Sequence, residues 1–214
     1  MSNLESIKDR IVDKVLEISQ ATGDLVPLIS GLANQVRYNR FKKRIDKNEE
    51  RIKKIFHSIY ESDVDFFAEK LGTMVFEKIM NDQEDGKAEF LVLGFENCVQ
   101  NNIKDEDKII LYFDLLTELR SFDLKRLVTL SRRTGDGPII AIEGSDEQKI
   151  IHFSDAKLRR LGFIKVGTSW STEGGEKIDY SKPIEITTFG NDFLDFIGYQ
   201  DGHGDRSRSL KNNS

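Results

Sequence analysis

The groups in this 214-residue chain that could do chemistry are three histidines, one cysteine and many carboxylates, and their spacing suits little of it. His57, His152 and His203 are far apart, and Cys98 stands alone, so a zinc site of clustered nitrogen and sulfur donors has no local nucleus. A nucleophile pair of Cys98 with His57 would need the fold to bring them together. The apolar run around Cys98 reads instead as the setting of an inert core thiol. Residues 81–92 have the length of a calcium loop, with Gly86 in sixth place. The loop opens on Asn81, however, and closes on Val92, where a bidentate carboxylate is required, so a turn is the better reading. The phosphate loop G-x-x-x-x-G-K, the dinucleotide motif G-x-G-x-x-G, H-E-x-x-H and G-x-S-x-G are all missing. The carboxylates of residues 61–127 are too numerous to single out an acid–base pair. The expectation is a non-enzymatic protein with no catalytic residues, no metal and no cofactor.

What remains is recognition by charge. The net charge of −5 hides a segregation: residues 1–60 carry a surplus of four positive charges, and residues 61–127 a surplus of eight negative ones. Arg37 to Lys54 holds nine basic residues against Asp46, Glu49 and Glu50. Arg37, Arg40, Lys42 and Lys43, with Asn48, form a candidate interaction surface; the competing reading is that basic and acidic stretches pack together or lie solvated. A second basic group comprises Arg132, Arg133, Lys157 and Arg160, the candidates for nucleic-acid contact, with Arg159 and Lys165 beside them. Glu173, Glu176 and Asp155 count against that reading. Trp170 and Tyr180 flank a turn, where cross-strand packing is favoured over base stacking.

The elements that must position these groups are mostly helices. Ser2 and Glu5 make a capping box ahead of Leu4, Ile7, Ile11, Val15 and Ile18, so a first helix runs to about Gln20. Asp24 and Pro27 open a second, which the spacing extends to Ile59 as one long basic rod. Tyr38, Phe41, Ile45, Asn48, Ile52, Ile55 and Ile59 alternate three and four apart along it. A lone Asn in such a stripe fixes register in a coiled coil, so self-association at this seam is one expectation. The other is packing within its own bundle, with Asn48 at a solvated edge. Further helices are expected from a Ser62/Asp65 cap to Ile79, over Lys87–Asn101 (buried on most sides), over Lys104–Leu119 and over Phe122–Arg133, the last capped by Ser121 or Asp123.

After a loop at Thr134–Pro138 the pattern shortens. A strand is expected over Ile139–Ile142, and a helix over Ser145–Ile151 with Ser145 and Gln148 as capping box. Another helix follows over Ser154–Leu161, stopped by Gly162. A hairpin of Phe163–Trp170 with Ile178–Thr187, turning at Glu173–Glu176, and a closing helix over Asn191–Ile197 complete the series. That order matches a winged helix, with Ser154–Leu161 as the helix presented to a groove. The fold class expected is therefore mainly α (α+β overall): a helical bundle domain over 1–120, a winged-helix-like domain over 121–198 and a disordered tail over 199–214. No apolar run reaches membrane-spanning length, the start lacks a secretory signal, and a single cysteine fits a reducing compartment, so a cytoplasmic location is expected.

Gly31-Leu-Ala-Asn-Gln-Val-Arg-Tyr-Asn-Arg-Phe-Lys-Lys43 resembles a segment of the Abi-alpha (abortive infection alpha) family of bacterial and prophage proteins. In that family a small-residue apolar helix leads into a V-R-x-x-R-x-K stretch, whose positions are held here by Val36, Arg37, Arg40 and Lys42. Phe95–Asn102 matches a later family motif only loosely. The resemblance implies a role in phage resistance through protein–protein contacts, with the basic helix as a contact surface and no catalytic residues. The partner expected is a protein, the chain itself included. The alternatives are a winged-helix DNA-binding regulator and a peripheral membrane protein held by Arg37–Lys54.

Overall fold

The structure, a computed structural model, describes residues 27–60, 63–133, 141–171 and 175–198. The helix expected over 4–20, the Asp24 cap, the Thr134–Pro138 loop and the tail lie outside them. The described chain is mainly helical and divides into two compact units, one ending at Glu118 and the other beginning at Leu119.

In the first unit the expected rod is two helices, α1 (Pro27–Lys47) and α2 (Glu49–Tyr60), interrupted at Asn48. The Asn48 N–H reaches only three residues back, to the Ile45 carbonyl at 2.9 Å. Its side-chain amide donates to the Arg44 carbonyl, also at 2.9 Å, and so satisfies an acceptor that the end of α1 would otherwise leave open. Glu49 and Glu50 then place negative charge on the positive end of α2. From Phe41 on the stripe faces inward: Phe41, Ile45, Ile52, Ile55 and Ile59 are buried within this unit, and Asn48 with them, while Tyr38 is exposed. This corrects two expectations: the seam is not left open to a second chain, and Asn48 is not at a solvated edge.

A π-helix (Asp65–Gly72) runs directly into α3 (Thr73–Asn81). Its start is fixed by Asp63, whose carboxylate accepts from the Phe66 N–H at 3.1 Å; Ser62 lies outside the described residues. A short 3₁₀ turn (Asp85–Lys87) leads to α4 (Ala88–Gln100), which is buried around most of its circumference, and α5 (Glu106–Glu118) follows. Phe41, Phe56, Phe76 and Phe95 meet with ring centroids 6.1–6.4 Å apart, tying α1, α2, α3 and α4 into one core.

The second unit comprises α6 (Ser121–Ser131), α7 (Asp146–Arg160), β1 (Ile164–Lys165), β2 (Thr168–Ser171), β3 (Gly175–Ile178), β4 (Glu185–Ile186) and α8 (Thr188–Phe196). The strands form two antiparallel pairs: β1 with β4, Ile164 opposite Ile186, and β2 with β3, Trp170 opposite Glu176. Three expectations fail here. Gly175 and Glu176, expected in the hairpin turn, lie in β3 opposite Ser171 and Trp170. Ala141 and Ile142, the described part of the expected strand, are irregular, and Ile142 is 83% exposed. The two short helices are one, because no glycine or proline interrupts Ile151–Ser154 and Asp155 is buried on its inner face. The ends of α7 were legible. Ser145 accepts from the Gln148 N–H at its start, while Gln148 reaches back to the Gly144 N–H.

At the other end of α7, Gly162 takes φ +80° and forms a Schellman cap. The Phe163 N–H bonds to Leu158 O and the Gly162 N–H to Arg159 O, each at 2.9 Å. Leu158 and Phe163 are both buried, with the Phe193 ring tilted against that of Phe163 at 4.8 Å. Gly190 lies where α8 starts against the Phe163 carbonyl, so close that a Cβ there would collide with that oxygen.

Candidate interaction surfaces

Two cations of the basic segment, Arg40 and Arg44, are spent on the acidic turn. Arg44 is buried and donates to Asp85 Oδ1 (2.8 Å), the Ile79 carbonyl (2.6 Å) and the Asp82 carbonyl (2.8 Å). That guanidinium holds the Asp85 carboxyl below its usual range. Arg40 adds contacts to the Gln83 carbonyl and Asp85. Lys87, also buried, joins Asp82 at 2.7 Å and the Thr117 carbonyl at 2.8 Å. Two carboxylates of the loop with calcium-like spacing, Asp82 and Asp85, are therefore occupied by this chain's own cations. On α2, Arg51 meets Glu96 of α4 at 2.8 Å. Of the candidate surface, Arg37, Lys42 and Lys43 stand exposed beside Val36 and Tyr38, Arg40 is exposed but tethered, and Asn48 is interior.

The candidate nucleic-acid residues divide similarly. Lys157 reaches across to Asp123 of α6 at 3.0 Å, and that carboxylate also accepts from the Arg120 N–H, capping α6. Arg133 binds Asp195 at 2.6 Å and the Asn191 side chain at 3.0 Å. Arg132 and Arg160 are exposed.

Beneath them lies a buried polar knot that the sequence did not announce. Arg126 forks onto Asp155, Nε to Oδ1 at 2.9 Å and Nη2 to Oδ2 at 3.0 Å, with both residues buried. The Tyr180 hydroxyl is hydrogen-bonded to Asp155; burial, and then that carboxylate, push its ionisation up. The Tyr180 ring stacks on His152 at 4.1 Å. The knot holds α7 against α6 on one side and against the segment after β3 on the other. A buried charge without a partner is costly, so the pairing fixes which face of α7 points inward.

The outward face is thereby fixed as well, and its middle is apolar. Ile150 and Phe153 are 52% and 67% exposed, three residues apart on α7, with exposed Ala156 one turn on. Exposed apolar groups gathered on one face mark interaction sites. Sequence reasoning missed this face because it split α7 at Ser154, which removed the spacing that aligns Ile150 with Phe153.

Other chemistry finds less support in the geometry. Cys98 is buried in α4, where loss of water pushes its thiol up to about 12, and His57 is exposed on α2. No cluster of His, Cys, Asp or Glu among the described residues could hold a metal, and none of their helices is long and apolar enough to cross a membrane. No family model, curated protein or solved structure matches this chain.

Proposed function

We propose that this chain is a non-enzymatic, cytoplasmic interaction protein of bacteria or prophages, acting through protein–protein contacts made chiefly by the outer face of α7. The observation that carries this reading is the exposure of Ile150 and Phe153 on a helix whose inner face is locked by the Arg126–Asp155 pair. The second unit is read as a winged-helix derivative: α6, α7 and the β2–β3 hairpin supply the frame, and the presented helix offers apolar side chains instead of phosphate-seeking cations. Lys157 and Arg133, which a DNA-binding role would need, are engaged with Asp123 and Asp195. Arg37, Lys42 and Lys43, exposed on α1, supply a second, electrostatic contact. Their resemblance to the Abi-alpha segment is the ground for placing these contacts in phage resistance.

The test is a plating assay of phage on bacteria expressing the chain, its Phe153→Glu variant or an Ile142→Glu control. Protection by the parent and the control, lost with Phe153→Glu, is expected. No protection by the parent would remove the phage-resistance role, and full protection by Phe153→Glu would remove the α7 contact.

A further inference from the structure

We infer that the occupant of the α7 face is α7 of a second copy of this chain, packed antiparallel about a two-fold axis at Phe153. This deepens the contact reading above and rests on it. At 100° per residue, Asp146, Lys149, Ile150, Phe153, Ala156 and Arg160 fall along one stripe of α7, and every one of them is exposed. The stripe is self-complementary when reversed. With Phe153 opposite its own copy, Asp146 meets Arg160 of the second chain, Arg160 meets Asp146, and Ile150 meets Ala156 on each side. A large side chain thus faces a small one on either flank of the central pair of rings. An isologous contact needs this property, since each residue must suit the one equidistant from the axis.

The helix also carries its acidic residues, Asp146 and Glu147, in the first turn and its basic ones, Lys157, Arg159 and Arg160, in the last. Antiparallel pairing sets those ends against their opposites, and a parallel pair would set like against like. One facing pair is unfavourable in sign, Lys149 opposite Lys157. Each of these already has a carboxylate of its own chain, Lys149 with Asp146 at 2.7 Å and Lys157 with Asp123 at 3.0 Å.

The test uses the full chain in light scattering across a concentration series to ~100 μM, the range in which a contact of this modest size associates. It adds disulfide capture by Phe153→Cys, the native Cys98 being buried. A doubled mass is expected, together with a covalent dimer of Phe153→Cys on mild oxidation; Ile142→Cys, exposed but off the stripe, should give little. Asp146→Arg and Arg160→Glu should each weaken association about tenfold, because each change acts twice about the axis, and the double variant should recover it. Circular dichroism of each variant separates lost association from lost fold. A parent that stays monomeric with no disulfide capture would overturn the self-pairing; continued loss of phage protection in Phe153→Glu would then leave the contact reading intact with a different partner. Charge reversals that leave the mass unchanged would overturn the antiparallel register.

Discussion

Replacing Asp155 with Ala should be the most damaging single polar substitution in the second unit. The Arg126 guanidinium is buried and gives two donors to the two oxygens of Asp155, at 2.9 and 3.0 Å, so truncation leaves a buried cation without the carboxylate that neutralises it. Removing one partner of such a buried pair costs about 3–5 kcal/mol. The Tyr180 hydroxyl loses its hydrogen-bond partner at the same time. With a urea dependence of roughly 1–3 kcal/mol per molar, the unfolding midpoint should drop by about 1–5 M. Fluorescence of the single tryptophan, Trp170 on β2, follows the transition of this unit. The double variant Arg126→Met with Asp155→Leu should recover much of the loss, because the cost lies in the orphaned charge and not in the absent pair. A midpoint that moves less than about 0.5 M in Asp155→Ala, or a double variant as weak as the single, would refute the argument that this pair fixes the orientation of α7.

Two further outcomes follow from the first unit. Asp85 has its carboxyl lowered by Arg44, so its contribution is complete above the ordinary carboxylate value and disappears as pH falls through the lowered one. Asp85→Asn should therefore be less stable than the parent at pH 6, by about 1 kcal/mol since the carboxylate is over half exposed, and the two should converge as pH falls below the ordinary carboxylate range, in thermal unfolding followed by circular dichroism. Cys98, with its thiol pushed up to about 12 by burial, should resist a colourimetric thiol reagent at pH 8 in the native chain and react as one equivalent in strong denaturant; rapid native reaction would contradict its place in the core.

Much of the secondary structure could be read directly from the chain. The buried character of α4, the start of α7 at Ser145 and its stop at Gly162 follow from local rules, because caps, glycine conformation and apolar periodicity act over a few residues. The candidate surfaces could be read only in part. Arg37, Lys42 and Lys43 are exposed as a basic face should be, but Arg44, indistinguishable from them in sequence, is the buried clasp of the acidic turn. Whether a cation faces water or a carboxylate depends on residues some forty positions away.

Asn48 shows the same division. Its type marked it as special in an apolar stripe, and it is special, but it closes α1 by binding the Arg44 carbonyl. The break itself decided that the stripe packs as two helices within one core. Ser154, expected to open a separate helix, lies within a continuous α7 because the buried pairing of Arg126 with Asp155 rewards an unbroken helix. The sequence by itself determined the helical class, most helix positions and the inert setting of Cys98, since these rest on short-range periodicity and composition. Only the tertiary structure decided which charges cancel and which face of α7 is left open, because burial is a property of partners distant in the chain and hydrophobicity names no address.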